Sequence, residues 1–99
     1  MNETTKTIAE QVNAKELVFA RFNVLTDDEN NALHIKKGKK FVVITYNRGS
    51  DAYDLRVGSY NKKFEIKEEV LEGMYFDSLK DVIQRHFKFE YVMHMFRGC

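Results

Sequence analysis

From Phe41 to Tyr46 the chain reads Phe-Val-Val-Ile-Thr-Tyr, an apolar and β-branched run without alternation. Such a run suits a pleated strand packed on both faces. Asn47-Arg48-Gly49-Ser50-Asp51 follows as a cluster of turn formers. The pattern then becomes strictly two-fold. Tyr53, Leu55 and Val57 alternate with Asp54, Arg56 and Gly58, so residues 52–60 form a strand with one apolar and one polar face. Residues 39–60 therefore predict a β-hairpin. A lone hairpin is marginal in water, so further strands are expected to pair with it and a helix to cover its apolar face.

Upstream, Thr4 or Thr5 is placed to cap a short helix through about Ala14, with Ile8 and Val12 as its narrow apolar stripe. Leu17 and Phe19, then Phe22 and Val24, predict strand over residues 16–25, with the face switching near Ala20-Arg21 as at a bulge. The segment Thr26 to Asn31 is a polar turn, and Leu33 and Ile35 predict a short strand over residues 32–36. Gly38 lies in the tight connection that follows, where a glycine can take positive φ.

Downstream, Asn61-Lys62-Lys63 is another turn, and Phe64, Ile66 and Val70 predict a strand. From Glu72 the period changes. Tyr75, Phe76, Leu79, Val82, Ile83, His86 and Phe87 recur at three- and four-residue steps, which predicts an amphipathic helix to Phe87. Beyond Lys88, either a closing strand or a helical extension fits Phe89, Tyr91, Met93, Met95 and Phe96. These side chains suit the monomer's own core, a partner surface or a homodimer seam. The expected fold is α+β: a four- or five-stranded antiparallel meander packed against a C-terminal amphipathic helix, with a short N-terminal helix.

Ninety-nine residues, with no proline and no low-complexity tract, read as one domain, residues 1–99. At 43% hydrophobic and 31% charged, the composition is that of a packed, soluble fold. No apolar run approaches the roughly 20 residues that span a bilayer, and the polar start Met1 to Lys6 has no signal-peptide core. The expectation is no membrane and residence in the cytoplasm. Cys99 is the only cysteine, so no intrachain disulfide forms.

The net charge of +1 hides an uneven distribution. Residues 33–63 carry eight Lys or Arg against only Asp51 and Asp54, whereas the flanking segments are each net acidic. The eight cations, Lys36, Lys37, Lys39, Lys40, Arg48, Arg56, Lys62 and Lys63, are the candidate binding residues. Three readings fit them: solvated turns with lysines guarding edge strands, a patch for an acidic protein, or a phosphate-binding surface with Tyr46, Tyr53 and Tyr60 available to stack on bases.

Catalytic signals are sparse. His34, His86, His94 and Cys99 lack metal-ligand spacing, so no metal or cofactor is expected. His86 reads as a hydrogen-bonded boundary residue rather than a catalyst. Asp27-Asp28-Glu29, Glu68-Glu69 and the pair Asp51 and Asp54 fall on turns or strand ends rather than in a dry cleft. No Gly-rich phosphate loop, nucleophile elbow or HExxH occurs. The expectation is a non-enzyme. An enzyme would require two of the three histidines to meet a carboxylate in one pocket.

Three segments, Thr5-Lys6-Thr7-Ile8-Ala9-Glu10-Gln11, Tyr53-Asp54-Leu55-Arg56-Val57-Gly58 and Gly73-Met74-Tyr75-Phe76-Asp77-Ser78-Leu79, resemble in order and spacing a family of small uncharacterised proteins encoded by tailed bacteriophages. The chain departs from that pattern at Asn13-Ala14, where the family has Gly-Gly, and at Lys88-Phe89, where it has Thr-Gly. The resemblance implies a phage origin and action inside an infected bacterium, and it transfers no functional residue. With the charge pattern it leads to an expected function: an accessory protein that binds and modulates or inhibits a host protein or protein–nucleic-acid complex, such as a defence nuclease complex or the transcription machinery. Direct nucleic-acid binding is the alternative.

Overall fold

The computed structural model describes residues 2–63 and 65–91. Two N-terminal helices, five strands, a 3-10 turn and a last helix follow one another. The strands form one antiparallel sheet in chain order, a meander of five. This is the α+β arrangement expected from the hydrophobic pattern.

Helix α1 spans Glu3–Gln11. Its cap is Asn2 rather than Thr4 or Thr5, and the Asn2 side chain accepts from the Thr5 amide at 2.8 Å. Thr5 is instead buried, and its hydroxyl donates to the Asp28 carboxylate at 2.8 Å. Asp28 also accepts from the Asn2 amide at 3.1 Å, so the turn over residues 28–31 holds the start of the helix. These bonds keep the Asp28 carboxyl below the usual carboxylate value, that from Thr5 contributing most.

Residues 16–25 are not one strand. Ala14–Phe19 is a second helix, α2, entered through Asn13 in the left-handed region at φ 52°. The alternation of Leu17 and Phe19 implied a shared face. In the helix Leu17 is buried, while Phe19 is 91% exposed. The run Ala-Lys-Glu-Leu favours helix by propensity, and two residues of apparent alternation do not outweigh it. The face switch at Ala20-Arg21 marks the helix end, with Arg21 at φ 70° turning the chain so that Phe22 enters the core.

Strands β1 (Asn23–Asp27), β2 (Ala32–Lys37), β3 (Lys40–Asn47) and β4 (Ala52–Tyr60) follow the expected hairpins, except that Thr26 and Asp27, expected in the first turn, pair with Leu33 and Ala32 and extend β1. The Asn47 side chain accepts from the Gly49 amide and the Asn61 side chain from the Lys63 amide, organising their turns. Strand β5 runs Ile66–Met74, later and longer than expected. Leu71 pairs with Leu55 and Met74 with Tyr53 across a bulge, where the Gly73 amide donates to Asp54 at 3.2 Å. The helix expected from Glu72 therefore starts at Leu79, as α3 (Leu79–Phe87), after a 3-10 turn at Phe76–Ser78. Tyr75 and Phe76, counted into the helical stripe, lie exposed before it. A three- and four-residue recurrence cannot show that the chain just before it, through Met74, is held extended by pairing with β4.

One sheet face carries the core. Leu33, Ile35, Val42, Ile44 and Leu55 are fully buried beneath Ile8 of α1, Val12 at its C-terminal cap, Leu17 of α2 and Leu79 and Ile83 of α3. Each such side chain contributes roughly 1.5–3 kcal/mol. Beyond α3, Lys88 takes the left-handed conformation, ending the helix instead of extending it. Phe89 then packs edge-on against Phe22 and Tyr91, and Tyr91 is 1% exposed with its hydroxyl donating to the Val12 carbonyl at 2.6 Å. These two tail aromatics complete the monomer's core. Met93, Met95 and Phe96 lie outside the described residues.

Candidate partner-binding face

The helices lie on one side of the sheet, and the register places the other face residue by residue. Leu25, His34, Val43, Arg56 and Val70 form one row across all five strands, and beside it run Lys36, Phe41, Gly58 and Glu68. A cavity of about 520 Å³ opens on this face, with Phe41, Val43, Tyr60 and Ile66 as apolar wall and Lys36, Arg56, His34 and Glu68 among its polar groups. Leu25 is 67% exposed, Ile66 56% and Val70 51%. Phe41 lies over Gly58, its cross-strand partner, and its ring is 5.4 Å from that of Tyr60. Glycine leaves the space that the ring fills.

The eight candidate cations do not share one surface. Lys37 and Lys40 turn to the helical side. Lys37 Nζ donates to the Ala20 carbonyl at 3.1 Å, closing the end of α2, and lies 4.6 Å from the centre of the Phe22 ring. Lys40 Nζ donates to the His86 carbonyl at 2.9 Å, in the last turn of α3. Cations at helix C-termini satisfy orphan carbonyls and complement the dipole, so these two are structural. Arg48 sits in the β3–β4 turn, which in a meander is the opposite end of the sheet from the β2–β3 turn. The length of β4 separates it from Lys39 by roughly 25–30 Å, at 3.3–3.4 Å per residue.

What remains is two groups. Lys36, Lys39, Lys62 and Lys63 gather at the end formed by the β2–β3 and β4–β5 turns, where a smaller cleft of about 340 Å³ is lined by Lys36, Lys39, Tyr60 and Asn61. Lys36 Nζ stands 5.3 Å from the centre of the Tyr60 ring. Arg56 projects from the middle of the open face.

His34 and His86 do not converge. His34 Nε2 is 3.7 Å from Asp27 on the open face, where the Asn30 side chain does most to hold the Asp27 carboxyl below its ordinary value. His86 belongs to α3, with Nε2 2.8 Å from the Gly58 carbonyl oxygen. His94 lies outside the described residues. Among the described residues no three His, Cys, Asp or Glu side chains gather as metal ligands, and no helix is long and apolar enough to cross a membrane.

The apolar members of this face, Leu25, Phe41, Ile66 and Val70, were expected only as strand formers. The signal for them was the unbroken run of β3, which asks for cover on both sides, whereas the helices supply it on one. Neither a family model, nor a curated protein, nor a solved structure matches the chain.

Proposed function

We propose that the chain is a small phage-encoded accessory protein that binds a host protein in the bacterial cytoplasm and modulates or inhibits it by covering its surface, as an anti-defence or host-takeover factor. The observation that carries the binding reading is the open sheet face, where exposed Leu25, Ile66 and Val70 surround Arg56 and Lys36. Apolar side chains grouped around an arginine are the composition of an interface centre rather than of an ordinary solvated surface. The phage origin rests on the three sequence segments above.

The test is affinity capture from infected bacteria with the wild type, Arg56→Glu and Leu25→Asp, followed by mass spectrometry and reconstitution with the purified candidate. A host protein retained by the wild type and lost by both variants, with their melting temperatures unchanged, supports the reading. Equal retention by all three rejects it.

A second reading has its own observation. Lys36 and Lys39 line a cleft with Tyr60 at the end of the sheet where the β4–β5 turn carries Lys62 and Lys63, a geometry that suits phosphate contacts with base stacking. It requires affinity for DNA or RNA of any sequence that falls steeply with salt and drops on Lys39→Glu. No binding at low salt removes it.

A further inference from the structure

The geometry points to the chemistry of the partner: the open face receives an acidic–apolar protein segment, in which a large apolar side chain fills the cavity beside Phe41 and Tyr60 while a neighbouring carboxylate is held by Arg56. This rests on the protein-binding reading above and names what that face recognises. Arg56 is exposed and, among the described residues, makes no hydrogen bond or ion pair. Its two-pronged donor geometry matches a carboxylate. Among the described residues of the cavity lining, Lys36 and Arg56 stand against one acid, Glu68, so the lining favours an anion. His34 Nε2 stands 3.7 Å from the Asp27 carboxylate, an acid outside the cavity lining.

The width of the apolar patch selects a protein segment over a small amphiphile. Leu25 lies on the first strand and Val70 on the fifth, with Arg56 in the same row between them. Four strand spacings at about 4.8 Å separate the two ends by roughly 19 Å. Leu25 lines the cavity whereas Val70 lies outside it, so a small molecule confined to the 520 Å³ cavity leaves Val70 in water, and a segment of several residues covers both.

The experiment is fluorescence anisotropy at physiological salt with a labelled twelve-residue peptide alternating Leu or Phe with Asp. Its comparators are a lysine counterpart, a serine counterpart lacking the apolar residues, and decanoate as competitor. The acidic–apolar probe binds, and both counterparts bind at least tenfold more weakly. Arg56→Gln lowers affinity by about ten- to a hundredfold, the range for a charge-assisted hydrogen-bonded pair. Leu25→Asp lowers it similarly, and Lys39→Gln changes it less than threefold.

Several outcomes overturn the inference: no binding of the acidic–apolar probe, equal affinity for the lysine counterpart, indifference to Arg56→Gln in a variant that melts like the wild type, or full displacement by low concentrations of decanoate. A concentration-dependent dimer abolished by Leu25→Asp also overturns it, assigning the face to a second copy. Failure of the peptide with retained host capture rejects this chemistry alone. Peptide binding without host capture rejects the broader function instead.

Discussion

Gly58 forms the floor of the open face, and replacing it with alanine tests how that floor is built. The backbone there is ordinary extended strand, so conformation alone does not demand glycine. In unobstructed strand the substitution would add about 0.5–1 kcal/mol of stability, because glycine loses more freedom on folding. Here an added Cβ would fall 2.4 Å from Phe41 Cζ, 2.7 Å from Phe41 Cε1 and 2.8 Å from the Lys67 carbonyl oxygen. Both the ring and the β5 backbone must move. Overpacking of this kind costs about 1–3 kcal/mol, and lifting Phe41 away from Tyr60 forfeits an aromatic pair of about 0.5–1.5 kcal/mol. The net expectation for Gly58→Ala is a destabilisation of about 2 kcal/mol within a span of roughly 0.5–4 kcal/mol, and 2 kcal/mol corresponds to roughly 8–16 °C in Tm for a chain of this size.

Urea unfolding of Gly58→Ala, Phe41→Ala and the double variant measures the coupling. With the ring removed, only the Lys67 carbonyl obstructs the new methyl, so Gly58→Ala should cost at least about 0.5 kcal/mol less in the Phe41→Ala background. A Gly58→Ala protein as stable as the wild type, or single effects that add within about 0.3–0.5 kcal/mol, would refute the reasoning.

Tyr91→Phe should lose about 1–3 kcal/mol in urea unfolding, because it leaves the Val12 carbonyl buried without its donor. Burial pushes the Tyr91 hydroxyl pKa far above its usual value of about 10, so its contribution is complete below pH 10 and lost as pH rises further; Tyr91→Phe should flatten that alkaline fall. Asp28 has the opposite sign: its lowered pKa gives stability above the ordinary carboxylate value that disappears as pH falls through the folded one. The difference in stability between wild type and Asp28→Asn should therefore shrink between pH 5 and pH 2. Lys40→Gln should destabilise by about 0.5–1.5 kcal/mol in urea while leaving capture of a partner unchanged, since Lys40 Nζ is tied to the His86 carbonyl on the helical side. Loss of capture without loss of stability would return Lys40 to the binding surface.

The meander was legible because β2 and β4 alternate apolar with polar residues, β3 is a continuous apolar and β-branched run, and turns rich in Asn, Asp and Gly separate them. Local pattern misled where two elements compete for the same residues. Leu17 and Phe19 alternate as a strand would, yet only Leu17 finds the core. Tyr75 and Phe76 sit at helical spacing from Leu79, yet Glu72–Met74 are drawn into β5 by pairing with β4, and the helix begins late. The candidate site was legible in part. The charge count singled out residues 33–63, but alternation along β2 sends Lys36 and Lys37 to opposite faces, and the meander carries Arg48 to the far end of the sheet.

The order of apolar, polar and turn-forming residues determined by itself that this chain builds an antiparallel sheet with amphipathic helices, because those preferences act within a few residues. Which sheet face the helices cover, and which lysines they capture, was decided only by the tertiary structure. Both faces of β3 are apolar, and the helices can lie on one of them. The choice leaves Phe41 and Val43 under an open cavity beside Arg56, an arrangement that depends on register across five strands and on no single stretch of sequence.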